Sequence, residues 1–539
     1  MRPRNLAHLA ASDYDLLVVG GGIHGLTIAY GAASRGLRTA LVEAADYGSG
    51  ISFNHQRTAH GGLRSLQSAR LDRAREAIYE RRALARIAPW LLRPLPFIVG
   101  TYSSVWRGRT ALRAAFRIDR WLGRHRNDGV EPELHLPAPR LISKAAALKL
   151  FPGIRQEGLT GAAQWYDYQM VEADRLTFAF AAAADRAGAD LANYAEAVAP
   201  IREGTRIAGM QVTDRLSGAT FPIRARMTVN AAGARAGQLA ALLGAKRAFP
   251  LLKAANLVTS RHAKDIALAA PGPGGRMLTL VPWQGRALIG TLQSPGFVQP
   301  EASGVTSSEL EGWLREVNDA FPTLALTRSE VTLVHRGLVP AVAGREGRAE
   351  LQPAPQILDH AADNAEGAVT VVGVKYTTAR GLAERVVDAI ARRLHRRLPQ
   401  SRTATTVLPG AGIADHEALA IETGRTLGLE VPLPTIRHLI TKYGEAAAAI
   451  LRLTRDRPDL RDAVAPGSQT IGAEIVHAIW SEQAVRLSDI VIRRTGLGAL
   501  ECPSETALAT CARTAATELG WDEARREAEI AGVREVYRV

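Results

Sequence analysis

The sequence predicts an α/β protein whose chain ends in an all-helical domain. Three features indicate this fold class. An apolar strand leads into a glycine-rich turn and a helix at residues 16–34, and a second apolar strand leads into small residues at 227–239. Residues 415–535 are rich in Ala, Leu, Glu and Arg at helical spacing. Strands that alternate with helices are typical of a parallel sheet, whereas a sustained period of about 3.6 residues is typical of packed helices.

The chain of 539 residues exceeds the usual size of one domain, so we expect about two or three. Hydrophobic residues make up 47% and charged residues 22%, which is typical of a globular protein. Two cysteines, Cys502 and Cys511, are too few for a disulfide framework and lack metal-ligand neighbours, so we expect a reducing compartment and no metal. We find no apolar stretch long enough for a signal peptide or a membrane-spanning helix, which predicts a cytoplasmic protein.

Residues 16–43 carry the pattern of a β-α-β unit that binds a dinucleotide. After an apolar strand, Gly20, Gly22 and Gly25 match the spacing G-x-G-x-x-G, and residues 23–34 have helical composition. These glycines allow a tight turn and let a pyrophosphate approach the helix N-terminus, where free N–H groups bind anions. Glu43 ends the second strand, where a carboxylate can accept hydrogen bonds from a ribose hydroxyl. The complete unit predicts a Rossmann-like nucleotide site, and the alternative is a glycine-rich turn without a ligand.

The choice of dinucleotide rests on the rest of the chain. We find no second copy of the motif, and a single nucleotide site in so long a chain favours FAD, which stays bound, over NAD. The segment VNAAGARAGQL at 229–239 supports this choice, because small residues such as Ala232 and Gly233 let a backbone pass close to a flat or charged group. A structural tight turn is the competing interpretation of that segment.

Several segments, in their order along the chain, resemble the FAD-dependent glycerol-3-phosphate dehydrogenases, within the flavoprotein group that also includes D-amino acid oxidase. The resemblance extends from about residue 14 to about residue 515, and its segments are VVGGGIHG with Glu43, HGGLRSLQ, ERRALARIAPWL, YDYQMVEADRLTFAFA, VNAAG, VPWQGRALIGT, GVKYTTARGLAE, ITKYG and DIVIRRTGLG. It implies a Rossmann-like FAD-binding domain with an inserted substrate-binding α+β cap at residues 1–402. Residues 403–539 would form the C-terminal helical domain of this family.

The resemblance also implies roles in the segment HGGLR. Gly61 and Gly62 would let the backbone pass the isoalloxazine ring. Arg64 would bind the substrate phosphate, because its planar guanidinium matches that anion. His60 is a candidate base, and a structural histidine that holds the turn is an equally good interpretation.

In the segment GVKYTT, the resemblance places Lys375 at the flavin and the substrate. The helix after Thr377 would direct its N-terminus at the flavin ring. The implied reaction transfers a hydride from a secondary alcohol carbon of sn-glycerol 3-phosphate, or of a related polyol phosphate, to flavin N5. A base takes the hydroxyl proton, and a membrane quinone would accept the electrons.

One position departs from the family pattern at the expected substrate end. The family has an arginine in a Gly-Val-Arg-Pro-like stretch, and alignment on Gly337 and Pro340 places Val339 there. A valine cannot bind phosphate, so an oxidase or dehydrogenase of another 2-hydroxy acid or of an amine stays open. The candidate replacements for the arginine are Arg336, Arg345 and Arg348.

The charge of the chain is uneven. The net charge is +14, and residues 57–126 carry sixteen arginines against four acidic residues. Within this stretch, residues 103–126 have the pattern of a basic amphipathic helix that lies in a membrane interface, although a helix that faces the core is the alternative. We therefore expect an anionic lipid surface as partner, on the cytoplasmic face of the inner membrane. RNA binding is a remote alternative, and we expect no nucleic acid because the aromatic residues lie on apolar faces.

Overall fold

The computed structural model describes residues 1–63, 70–102, 109–344, 347–410, 416–427 and 431–538. The chain folds into two compact units, each built from separate stretches. The first unit comprises Met1–Phe53, Glu172–Leu251 and Val339–Arg538, and the second comprises Asn54–Val171 and Leu252–Leu338. The glycine-rich start of the chain and the C-terminal helices therefore belong to the same unit.

The strands among the described residues are, in chain order, β1 (Asp13–Val19), β2 (Thr39–Val42), β3 (Thr58–Ala59), β4 (Leu92–Tyr102), β5 (Arg140–Ile142), β6 (Leu159–Met170), β7 (Asp190–Ala192), β8 (Ala195–Glu203), β9 (Arg206–Asp214), β10 (Thr220–Asn230), β11 (Leu251–His262), β12 (Ala267–Pro271), β13 (Met277–Trp283), β14 (Arg286–Gln293), β15 (Val331–Ala343), β16 (Ala349–Leu351), β17 (Gln356–Asp359) and β18 (Ala368–Val372).

The α-helices in the same described ranges are α1 (Leu6–Ala11), α2 (Ile23–Ala33), α3 (Leu71–Ile87), α4 (Arg109–Leu122), α5 (Lys144–Leu150), α6 (Ala173–Arg186), α7 (Ala236–Leu242), α8 (Ser307–Ala320), α9 (Ala379–Arg393), α10 (His416–Leu427), α11 (Leu433–Tyr443), α12 (Ala447–Asp456), α13 (Gly472–Glu482), α14 (Glu505–Leu519) and α15 (Glu523–Val536).

A parallel sheet forms the centre of the first unit. Its strand order is β17-β18-β10-β1-β2-β7, in which β18, β10, β1, β2 and β7 run parallel and β17 is antiparallel. Helix α2 packs against α6 and α9. Residues 16–19 of β1 and all of β2 are buried, as expected for strands of a parallel sheet that is covered on both faces. This architecture confirms the predicted α/β fold.

The C-terminal helices form two apolar clusters within the first unit. One cluster contains Leu439, Ile440 and Ile450, and the other contains Ile475 and Leu508. In the described part of the chain after residue 403, the regular elements are helical, as the sequence predicted.

A largely antiparallel sheet forms the second unit. Its strand order is β15-β11-β14-β13-β12-β4-β6-β3, and β5 pairs with β6. The longest pair joins β4 to β6, with Phe97 opposite Trp165. Helix α8 contributes Trp313 and Val317 to the core of this unit, where both side chains are buried.

Helix α4 occupies the stretch for which a basic amphipathic helix was predicted, and residues 103–108 lie outside the described residues. Its buried side chains are those of Phe116 and Asp119, whereas Ile118 and Trp121 are exposed. Arg113, Arg117, Arg120 and Arg124 are also exposed. The helix therefore presents arginines and large apolar side chains together to solvent. Within the described ranges, we find no helix with the length and apolar character needed to cross a membrane.

Candidate functional site

The glycine motif forms a tight turn between β1 and α2. Gly20 has a φ of +117°, which favours glycine, and a Cβ at this position would lie 2.5 Å from Ala231 O. A Cβ on Gly25 would overlap the carbonyl oxygen of Gly20. At Gly20 and Gly25, therefore, glycine is required because another segment of the protein backbone occupies the position of a Cβ atom.

Gly22 differs from these two glycines because the atom closest to a Cβ placed on it belongs to a side chain and not to the backbone. The nearest atom to a Cβ placed on Gly22 is Ser52 Oγ, at 3.3 Å, and the backbone is extended with φ of −76° and ψ of 177°. Ser52 Oγ accepts a hydrogen bond from Ile23 N at 2.9 Å, which caps the first turn of α2. A glycine with an extended backbone at this helix N-terminus fits the close approach of a pyrophosphate.

Glu43 lies at the end of β2, as predicted, and binds the glycine turn. Its carboxylate accepts hydrogen bonds from Gly21 N at 2.5 Å and from Ala45 N at 2.8 Å. Burial raises the pKa of Glu43, and these two hydrogen bonds oppose the shift. A carboxylate has about four acceptor positions, so two contacts leave capacity for a ribose hydroxyl.

Two further predicted cofactor segments meet the glycine turn within the first unit. Ala231 N donates to Val19 O at 2.8 Å, so the segment with Ala232 and Gly233 starts directly beside Gly20. The segment after β18 reaches the start of α2, where a Cβ on Gly373 would overlap the ring of His24. The geometry of the turn, the glycine at the start of α2 and the carboxylate of Glu43 together fit FAD.

Lys375 and Thr377 follow Gly373 in this segment. The side chain of Lys375 is exposed and Thr377 is buried. Tyr376 is held by a hydrogen bond between its hydroxyl group and Thr177 Oγ1 at 2.9 Å, which fixes the loop to helix α6. The assignment of Lys375 and Thr377 to the flavin stays a prediction.

The HGGLR segment belongs to the second unit, and Arg64 lies outside the described residues. Gly62 has a φ of +78°. A Cβ on Gly61 would overlap the guanidinium of Arg81, and one on Gly62 would lie 2.8 Å from Ala77 Cβ. Packing inside the second unit therefore explains why both residues are glycines. Their contact with a flavin stays a prediction.

Sequence reasoning missed Asp167, which holds this turn. Its Oδ1 accepts a hydrogen bond from Gly61 N at 2.7 Å, and its Oδ2 lies 3.1 Å from His60 Nδ1. Arg81 and Trp165 also donate to the same carboxylate. Burial by itself raises the pKa of Asp167, but the hydrogen bond from His60 and the charge of Arg81 hold it below its usual value. A single acid inside an apolar strand is the only local signal that could have indicated this role.

A second buried group of polar residues lies near the start of the same segment. Arg57 is fully buried, and its guanidinium carbon lies 4.6 Å from the centre of the Trp283 ring. Burial, with the charge of Arg57, lowers the pKa values of His55 and His335 well below the ordinary value. These two histidines are therefore neutral at physiological pH.

Val339, the predicted departure from the family, is a half-buried residue of strand β15. Arg336 lies three positions earlier on the same strand, so the two side chains point to opposite faces. The backbone N–H of Arg336 donates to Asn54 Oδ1 at 3.0 Å. Arg348 is exposed, and Arg345 lies outside the described residues.

Known proteins resemble the chain along nearly its whole length. Residues 15–389 match the family described as FAD dependent oxidoreductase, and residues 401–526 match the C-terminal domain of alpha-glycerophosphate oxidase. The glycerol-3-phosphate dehydrogenase of Mycobacterium leprae (strain TN) is 31% identical, over 96% of this chain and 87% of the relative. That of Synechocystis sp. (strain ATCC 27184 / PCC 6803 / Kazusa) is 30% identical, over 98% of this chain and 97% of the relative.

A solved structure shares the fold. The glycerol-3-phosphate dehydrogenase from Bacillus halodurans, determined as a complex with FAD, matches with a TM-score of 0.76 and 23% identity. The match covers 98% of this chain and 96% of that chain. The predicted dependence on FAD is confirmed by the family match. The chain belongs to the FAD-dependent oxidoreductase family and, within it, to the glycerol-3-phosphate dehydrogenases.

Proposed function

We propose that this chain oxidises sn-glycerol 3-phosphate, or a closely related polyol phosphate, with FAD as cofactor. The observation that carries the proposal is the match, over 96% and 98% of the chain, to two proteins named glycerol-3-phosphate dehydrogenase. The first unit supports it independently, because three separate segments of backbone meet at a glycine turn suited to a dinucleotide.

Bound FAD would supply the hydride-accepting chemistry for oxidation of the secondary alcohol. The chain's own residues bind, orient and deprotonate that substrate. Arg64 and Lys375 bind the phosphate as cations, and His60 accepts the hydroxyl proton while Asp167 orients its ring. The residues that we assign to the cofactor are Gly20, Gly22, Gly25, Glu43, Gly61, Gly62, Ala232, Gly233, Lys375 and Thr377.

Anaerobic mixing with candidate substrates tests the proposal. Glycerol 3-phosphate should bleach the visible absorbance of the bound flavin, whereas a 2-hydroxy acid such as lactate and an amine such as glycine should not. Bleaching by lactate or glycine, with no response to glycerol 3-phosphate, would replace the proposed substrate by the alternative class.

Val339 is the observation that favours this alternative class. If glycerol 3-phosphate is the substrate, Val339→Arg should raise kcat/KM about ten- to a hundredfold, because one charge-assisted hydrogen bond contributes roughly 1.5–3 kcal/mol. If the substrate carries an apolar group there, the substitution should abolish activity, because it buries an unpaired charge. Val339→Leu is the matched control, since it changes volume at the same position without adding charge.

We also infer that helix α4 holds the protein peripherally on an anionic membrane surface, where a membrane quinone accepts the electrons. The exposed arginines of α4 supply charge, and the exposed rings and chains of Trp121 and Ile118 supply apolar surface. An interfacial helix combines these two properties.

A further inference from the structure

We propose that the C-terminal helices retain FAD in the first unit by holding the segment 43–48 through Asp46, so that Arg493 and Arg494 are positioning residues for the cofactor. The inference depends on FAD binding and not on the identity of the substrate. It gives the C-terminal part of the chain a role in cofactor affinity.

The segment 43–48 forms one side of the nucleotide turn. Glu43 accepts a hydrogen bond from Gly21 N, and Gly48 N donates to Gly21 O at 2.9 Å. The ring of Tyr47 packs so closely that a Cβ on Gly21 would lie 2.9 Å from its Cδ1 atom. Three residues of the segment thus contact one glycine of the turn, and a displacement of the segment displaces that glycine.

Asp46, in the middle of the segment, faces the C-terminal helices. Its two carboxylate oxygens accept hydrogen bonds from both terminal nitrogens of Arg494, at 2.8 and 2.9 Å, and Oδ2 also accepts from Arg493 Nε at 2.7 Å. Both arginines lie in a single π-helical turn, Asp489–Arg494. Such turns are rare and are often found at functional sites.

The pair formed by Asp46 and Arg494 is fully buried. The side chain of Asp46 is 0% exposed and that of Arg494 is 1% exposed. Burial alone would raise the pKa of Asp46, but the two arginines outweigh it and hold the pKa below its usual value. A buried pair with bidentate geometry resists separation, because each charge left alone would be uncompensated in a poorly solvated site.

A second link joins the same segment to the end of helix α13. The hydroxyl group of Tyr47 donates to Gln483 Oε1 at 2.8 Å. Gln483 is itself fixed, because its carbonyl oxygen accepts a hydrogen bond from Asn193 Nδ2 at 2.9 Å. Adjacent residues, Asp46 and Tyr47, therefore connect the nucleotide turn to two C-terminal elements.

The test measures FAD affinity in a double-mutant cycle of Asp46→Asn and Arg494→Lys. Equilibrium dialysis of each holoenzyme, at a temperature where circular dichroism shows it folded, gives the dissociation constant of FAD. Each single substitution should raise that constant about tenfold, within the range typical of coupling between sites. The double variant should be no weaker than the weaker single variant, because Arg494 acts through Asp46.

A second pair of variants, which remove no charge, keeps the test decisive if the charge variants do not fold. Tyr47→Phe and Tyr443→Phe each remove one buried hydroxyl group that donates a hydrogen bond of 2.8 Å, to Gln483 and to Glu474 respectively. Tyr47 belongs to the segment 43–48 and Tyr443 does not, so only Tyr47→Phe should speed the release of FAD on dilution. Equal release from both variants, or additive effects in the cycle, would show that the C-terminal helices stabilise the fold without positioning the cofactor.

Discussion

The carboxylate of Asp167 contacts both the ring of His60, at 3.1 Å, and the backbone N–H of the residue that follows it, at 2.7 Å. An ionised carboxylate only accepts hydrogen bonds, so His60 Nδ1 donates a proton towards Asp167. This arrangement fixes the orientation of the half-exposed imidazole ring. It is the geometry that an oriented general base requires.

Asp167→Asn should therefore slow the reduction of the flavin by glycerol 3-phosphate. We expect a loss of about tenfold or more, because a positioned general base contributes roughly 100- to 10,000-fold and the amide holds the ring less firmly. Stopped-flow absorbance under anaerobic conditions measures this rate. The control is Asp119→Asn, which alters another buried Asp–Arg pair of the second unit, at 2.8 Å from Arg126. Equal losses in the two variants would mean that Asp167 only stabilises the unit.

Gly22→Ala should yield a folded protein that lacks FAD. A Cβ on Gly22 would lie 3.3 Å from Ser52 Oγ, a tight contact that requires a small shift of that side chain, so a loss of FAD without a loss of fold would reflect a steric conflict with the pyrophosphate. The ratio of flavin absorbance to protein absorbance after purification measures retention, and circular dichroism reports folding. Gly31→Ala lies in helix α2, which begins after Gly22, and places its Cβ 3.6 Å from Val387, an ordinary contact, so it should retain FAD. A Gly22→Ala protein with one FAD per chain would contradict this assignment.

The free energy of unfolding should fall as the pH is lowered from about 6.5 towards 4. Burial lowers the pKa of His24 to about 4 and lowers the pKa values of His55 and His335 well below the ordinary value. In the unfolded chain these histidines take up protons near pH 6.5, so acid stabilises the unfolded state first. His24 alone should contribute on the order of 2 kcal/mol of this loss.

Urea denaturation at several pH values measures this slope. His24→Asn should flatten it, because asparagine does not titrate. Gly31→Ala is the control, since it changes a residue of the same helix, α2, without removing a titratable group. A slope that is equal in wild type and in His24→Asn would exclude His24 as a source of the pH dependence.

Binding to anionic liposomes should weaken when Arg117 and Arg120 are both changed to glutamate. Each exposed arginine near such a surface contributes on the order of 1 kcal/mol, and salt screens the attraction. Co-sedimentation with vesicles that contain phosphatidylglycerol measures the binding. The control carries the same charge change at Lys246 and Arg247, which are exposed but lie outside helix α4. Equal binding by the two variants would leave α4 without a role at the membrane.

The sequence by itself determined the local part of the nucleotide site. Gly20 and Gly22 lie between the apolar strand β1 and helix α2, Gly25 lies in the first turn of α2, and Glu43 directly follows β2. These features depend on residues that are close in the chain, since a turn, a helix period and a strand each involve only near neighbours. The C-terminal helices were predictable for the same reason.

Only the tertiary structure decided which distant residues meet. Asp167 is 107 positions from His60, and Asp46 is 448 positions from Arg494. A single acid has the same appearance in a sequence whether it ends in solvent or in a buried ion pair, because its burial depends on how whole elements pack. The partners of these carboxylates are therefore set by the packing of each unit and by the free-energy cost of leaving a buried charge unpaired.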